Sequence, residues 1–291
     1  MLILISDAFD ASLPDQLKQF GEVTDDKSRV SEAEVVLIRS KTKCTREYID
    51  AAPKLKLIIR GGVGLDNVDQ AYAKQKGITV ANTPQASSVA VAELAMALML
   101  AAPNHVIRGH NGLAQGQWLK KELKRTELMG KTLGLLGIGR IGSEVATRAR
   151  AFGMTVVAHD PFVQSHAVAQ IKPLDEVLAQ SDYLSLHMPL TDETRGMIND
   201  ATIARMKKGV IIVNTGRGKC IDEKAMVKAL EQGQVGCYAT DVWPSDPPPD
   251  DCPMLKAPNV IMTPHIGASS KENLLRIGEI VVRKIREHVS K

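Results

Sequence analysis

One short stretch constrains this chain more than any other. Gly137-Ile-Gly139-Arg-Ile-Gly142 lies between an apolar β-type run, Thr132–Leu136, and a helix-like run, Ser143–Arg150. Glycines at this spacing permit a tight turn and let the backbone approach a pyrophosphate closely. The helix that follows offers free N–H groups and the positive end of its dipole. A glycine motif of this kind is weak by itself, but here a second strand, Met154–Asp160, ends in an acid about twenty residues further on. A carboxylate at Asp160 can accept both ribose hydroxyls of NAD and would repel the 2′-phosphate of NADP. The expectation is a dinucleotide-binding unit that takes NAD through Gly137, Gly139, Gly142 and Asp160.

The rest of the chain is organised to match. Short Val/Ile/Leu-rich runs at 1–6, 34–38, 55–59 and 78–81 alternate with helical patterns. A second series follows at 132–136, 154–158, 183–186, 210–213, 235–240 and 259–262. Such alternation predicts α/β architecture with parallel sheets, and six strands make a full dinucleotide-binding sheet. Ser87–Ala102 reads as a buried helix interrupted by Pro103, and Ser269–His288 as an amphipathic one. Pro244 to Pro249 form a rigid loop. A boundary is expected near Thr83-Pro84, with a return crossing near Pro264 to Gly267.

Composition narrows the function. Apolar residues at 44% and charged residues at 24% suit a globular protein, and 3% aromatics imply an aliphatic core. The 37 basic residues exceed the 33 acidic ones by only four and are spread out, which fits anionic small molecules and argues against nucleic acid. The stretch Val89–Ala102 contains Glu93 and is too short to span a bilayer, and Met1–Asp7 lacks the basic start of a signal peptide. No membrane partner is therefore expected, and a cytoplasmic location is. Cys44, Cys220, Cys237 and Cys252 show no metal-type spacing and read as reduced thiols used as small hydrophobes. No metal is expected.

Three polar segments stand just past buried strands, where ligands sit in such sheets. Val210–Val213 runs into Asn214-Thr-Gly-Arg217-Gly218, and the Arg217 fork can grip a carboxylate and polarise a carbonyl. Val260–Pro264 leads to His265, a candidate proton carrier. Tyr238–Trp243 leads to Asp246, an acid that can fix the His265 tautomer. His187 ends Tyr183–Pro189, where packing on a nicotinamide suits it better than catalysis. Lys120, Lys121, Lys124 and Arg125 form a basic run that reads first as a solvated face.

Taken together, these residues resemble the D-2-hydroxyacid dehydrogenase family over essentially the whole chain. Arg60-Gly-Gly-Val-Gly-Leu-Asp-Asn67, the glycine motif with Asp160, Ser181–Pro189, Asn214–Gly218 and Thr263-Pro-His-Ile-Gly267 occur in that family's order. Ile38-Arg39-Ser40, Arg60 and Trp118 with its basic neighbours are similar to the branch acting on 3-phospho-D-glycerate.

The resemblance implies two Rossmann-like or flavodoxin-like parallel-sheet domains, with a nucleotide domain at 85–267 inserted in a discontinuous substrate domain, 1–84 plus 268–291. The active site would lie in the cleft between them. It implies catalytic roles for Arg217, His265 and Asp246, and cofactor contacts at Arg140, Ile141, Asp160, His187, Pro189, Thr194, Thr215 and Asp241. The backbone of Gly62 and Val63 would hold a carboxylate, and Arg39, Arg60 and Lys120 a phosphate. The implied reaction is NAD-linked oxidation of 3-phospho-D-glycerate by a homodimer. The implied alternatives are a glyoxylate or hydroxypyruvate reductase and, more remotely, an NAD-sensing corepressor. Two departures are expected to matter. Asp246 replaces the family's usual Glu, so its pairing with His265 would need a shifted loop or a water. The chain also ends at Lys291, leaving no room for a serine-binding regulatory domain.

Overall fold

The computed structural model describes residues 1–290. Lys291, the last residue of the expected second segment of the substrate domain, lies outside the described residues. The chain divides into two compact units. One comprises 1–90 together with the segment from Ala268 onward, and the other comprises Val91–Gly267. No single helix among the described residues is long and apolar enough to cross a membrane.

The first unit is built on β1 (Leu2–Ile5), β2 (Glu22–Thr24), β3 (Val35–Ile38), β4 (Leu57–Arg60) and β5 (Thr79–Asn82). They form one parallel sheet in the order β2-β1-β3-β4-β5, the flavodoxin-like sequence of strands. Four of these strands were expected, and the three-residue edge strand β2 is additional. Val35 to Ile38 are all buried, as a parallel strand covered on both faces should be. The short helices α1 (Leu13–Leu17), α2 (Arg46–Asp50) and α3 (Gln70–Gln75) connect them. Thr45 and Asp69 cap α2 and α3 by accepting from Tyr48 N and Tyr72 N.

The first crossing to the second unit falls inside α4 (Ser88–Ala101), beyond the Thr83-Pro84 turn that the sequence pointed to. The helix α5 (Val106–Ala114) follows. The second unit then carries β6 (Thr132–Leu136), α6 (Arg140–Ala151), β7 (Thr155–His159), β8 (Gln170–Ile171), α7 (Leu174–Gln180) and β9 (Tyr183–Leu186). It continues with α8 (Asp200–Ile203), β10 (Val210–Asn214), α9 (Glu223–Glu231), β11 (Val235–Thr240) and β12 (Val260–Met262). The sheet is parallel throughout, in the order β12-β11-β10-β9-β6-β7-β8. Six strands were expected, and β8, two residues long at the edge, is the seventh. The order reverses at β6, so the crevice of the dinucleotide fold opens at that strand's carboxyl end.

The last helix, α10 (Lys271–Val289), belongs to the first unit. It places Ile277, Val281 and Ile285 in one core cluster with Ile3, Leu13, Leu17, Val35, Leu37, Leu57 and Ile59. Ser270 starts it by accepting from Asn273 N. All four cysteines are buried, and burial pushes the Cys44 and Cys237 thiols up to about 12, which suits packing rather than chemistry.

Candidate active site

Strand β6 delivers the glycine motif where a ligand would sit. Gly137 has φ +89°, a region that favours glycine. A side chain on Gly142 would put its Cβ 2.3 Å from the Gly137 carbonyl oxygen, so the turn closes only with glycine there. Beside Gly139 there is open space, and no side chain caps α6. The first N–H groups of that helix, on Arg140, Ile141 and Gly142, therefore remain for an anion. Asp160 accepts from Ile138 N at 3.0 Å and from Phe162 N at 3.0 Å. Its carboxylate is thus fixed beside the glycine turn with acceptor capacity left for ribose hydroxyls.

At the end of β9, His187 shares a 2.8 Å contact with Ser185 Oγ through Nε2, while Nδ1 is buried without a partner. Burial pushes its imidazole down to about 4, so it is neutral near pH 7. Thr215 Oγ1, at the end of β10, is likewise buried and unpartnered. Buried polar atoms of this kind fit a bound polar cofactor. Thr194 donates to Pro189 O at 2.7 Å and closes the turn after β9. These residues fit NAD.

The catalytic candidates sit on three interlocked loops. Asn214, fully buried, donates to the Arg217 carbonyl at 3.0 Å, and its Oδ1 accepts from Gly216 N at 3.0 Å. Arg217 itself donates to Gly216 O at 2.7 Å. Gly218 packs so closely on Trp243 that a Cβ would stand 2.3 Å from the Trp243 carbonyl carbon. Trp243 Nε1 donates to Thr263 O at 3.1 Å, joining the second loop to the third.

His265 stands on that third loop with φ +55°, a strained value for a side-chain-bearing residue. Asp241, only 2% exposed, holds the loop. It accepts from Thr263 Oγ1 at 2.6 Å, Ile266 N at 2.8 Å and Gly267 N at 2.8 Å. Asp246 touches His265 Nδ1 directly, so an acid one methylene shorter than Glu reaches the ring with no water between them. A carboxylate is an acceptor only, so Nδ1 carries a proton and Nε2 is left as the basic atom.

In the first unit, Ile38 and Arg60 are paired across β3 and β4, so Arg39 and Arg60 end neighbouring strands. Arg39 donates to Ala268 O at 2.9 Å, and its Nε is buried without a partner. The Arg60 guanidinium lies over the Gly62 backbone, where a Cβ would meet Nη1 at 2.0 Å. Asn82 Nδ2 donates to Val63 O at 2.5 Å and steadies that loop. Gly62 is buried and Val63 exposed. Lys120 behaves differently. It is exposed, and its neighbour Leu119 lines a groove with Gly236 and Cys237 at the amino end of β11, whereas Asp241 and His265 lie past carboxyl ends. Lys120 is therefore not brought to Arg217 and His265.

Sequence reasoning missed the holding roles of Asn214 and Asp241. Asn214 was visible only as the start of the Asn214–Gly218 motif, and Asp241 only as an implied cofactor contact.

The fold and this site define an NAD-dependent oxidoreductase with a histidine–acid pair and an arginine beside the cofactor crevice. The NAD binding domain of the D-isomer specific 2-hydroxyacid dehydrogenases matches residues 96–267, and the chain belongs to that family. It is 49% identical over 259 residues to a hydroxypyruvate reductase of Thermotoga maritima, covering 88% of this chain and 85% of that protein. It is 43% identical over 298 residues to a D-3-phosphoglycerate dehydrogenase of Methanocaldococcus jannaschii, covering 98% of this chain but 57% of that protein. The chain thus spans little more than half of that relative. Among solved structures, a D-lactate dehydrogenase of Aquifex aeolicus complexed with NAD and lactic acid superposes with a TM-score of 0.89. It is 31% identical, with 100% of this chain and 96% of that one covered.

Proposed function

We propose that the protein oxidises 3-phospho-D-glycerate with NAD to 3-phosphooxypyruvate, reversibly. The observation that carries this reading is the arginine pair at the ends of β3 and β4, with the Arg60 guanidinium laid over the Gly62 backbone. Two guanidiniums at the ends of neighbouring strands suit a substrate with both phosphate and carboxylate. The similarity to D-3-phosphoglycerate dehydrogenases supports the same reading.

Bound NAD supplies the hydride acceptor. The chain supplies the proton chemistry and the charge. His265 Nε2 takes the hydroxyl proton in oxidation and returns it in reduction, and Asp246 holds Nδ1. Arg217 binds the carboxylate and polarises the carbonyl oxygen. The Gly62 N–H already donates to the Arg60 carbonyl at 2.9 Å, so of the two expected amides it is that of Val63 that takes the carboxylate, while Arg39 and Arg60 take the phosphate.

A second reading, a hydroxypyruvate reductase, is favoured by the 49% identity to the Thermotoga protein. NADH absorbance decides between them. Turnover of the phosphorylated pair well above that of hydroxypyruvate and glyoxylate supports the first reading. Turnover of hydroxypyruvate or glyoxylate alone replaces it with the second.

We also infer a homodimer. The helix α5 leaves Val106, Ile107 and Leu113 exposed, and Trp118 just after it is exposed as well; grouped exposed apolar side chains mark protein–protein contacts. Sedimentation at micromolar concentration tests this, and a monomer would overturn it.

A further inference from the structure

We propose that His166, on the loop after β7, is a positioning residue for the dinucleotide and holds the phosphate turn in its binding shape through Ser143. A chain of hydrogen bonds runs from that loop into the turn. Val168 N donates to His166 Nδ1 at 3.3 Å. His166 Nε2 meets Ser143 Oγ at 3.0 Å. Ser143 Oγ donates to the Ile138 carbonyl at 3.0 Å, and Ile138 N donates to Asp160 at 3.0 Å.

Only one placement of protons satisfies this chain. Nδ1 accepts from Val168, so the neutral ring carries its proton on Nε2. The single Ser143 hydroxyl proton goes to Ile138, so Ser143 must accept from His166. Every step then runs in one direction, and Ile138 is held at both its carbonyl and its N–H.

Ile138 is the residue between Gly137 and Gly139. A turn with three glycines has many backbone conformations open to it. Ligand affinity falls when a loop must be ordered on binding. The Ser143 and Asp160 contacts fix the middle of the turn before the ligand arrives, and His166 fixes Ser143. Neither His166 nor Ser143 lies on the loops carrying Arg217, Asp246 and His265. The expected effect therefore falls on the dinucleotide alone.

The test separates the two ring nitrogens. Asn at position 166 keeps an acceptor near Nδ1 and loses the donor to Ser143, whereas Gln can place an amide donor near Nε2. NADH binding, followed by its fluorescence on the full chain, needs no assumption about substrate. His166→Asn and Ser143→Ala should each weaken it roughly two- to tenfold, the worth of one hydrogen bond. The double variant should be no weaker than either single one, and His166→Gln should stay close to the parent. ADP-ribose, which carries the pyrophosphate, should lose affinity in His166→Asn, while AMP, which lacks it, should not. Unchanged NADH affinity in His166→Asn would overturn the proposal. So would additive losses in the double variant, or equal losses for AMP and ADP-ribose.

Discussion

Asp246 and His265 meet directly, carboxylate to Nδ1, across 19 residues of chain. The contact orients the ring and leaves Nε2 as the only atom able to take a proton from substrate. Asp246→Asn offers an amide that can reverse the tautomer. It should lower kcat on the order of 10²-fold or more, with KM for NAD little changed. Asp246→Glu keeps the acid and should stay within roughly tenfold of the parent by steady-state kinetics.

Removing the imidazole should be worse. His265→Ala is expected to lower kcat roughly 10²- to 10⁴-fold in the favoured substrate direction. Turnover near the parental value would remove His265 from the proton chemistry.

Gly62→Ala tests the anion site without touching a charge. The clash falls on the far end of the Arg60 side chain, which can move aside. Thermal stability should change little. KM for the phosphorylated substrate should rise more than KM for glyoxylate, because the displaced group is the guanidinium.

Gly142→Ala makes the opposite case. Its Cβ would meet the Gly137 carbonyl, which belongs to the backbone and cannot swing away. A stability loss of about 1–3 kcal/mol is expected from overpacking, together with weaker NADH binding. Denaturant unfolding with and without NADH measures both.

His187 predicts an acid-side stability change. Burial pushes its folded value from 6.5 down to about 4, so between those values the unfolded chain binds more protons. Stability from this group is complete above about pH 6.5 and is lost as the pH falls through that window, on the order of 3 kcal/mol in all. His187→Gln should flatten unfolding free energy against pH between 4 and 6.5, relative to the parent. Parallel curves would refute the buried neutral ring.

Much of this was legible in the residues, and the reasons are physical. Strands buried on both faces leave continuous apolar runs, so β1, β3, β4 and β6 declare themselves. Edge strands need no such run, and β2 and β8, at three and two residues, carry too little pattern to be seen. The glycine turn and Asp160 are local in sequence and read directly. The direct reach of Asp246 to His265 depends on how Trp243 and Thr263 tie two loops together, which no spacing encodes. The Asp241 clamp is the same kind of fact, because three donors converge on one carboxylate only after β11 and β12 have paired.

The placement of α10 has a consequence for biogenesis. The first unit keeps Ile3, Leu13 and Leu37 in a cluster that α10 completes with Ile277, Val281 and Ile285. Those three residues leave the ribosome after every strand of both sheets. The amino-terminal strands must therefore wait, with apolar surface uncovered, while the whole nucleotide-binding unit is synthesised and free to fold. The earliest part of the chain to be made is among the last to be finished, and in that interval chaperones have most to protect.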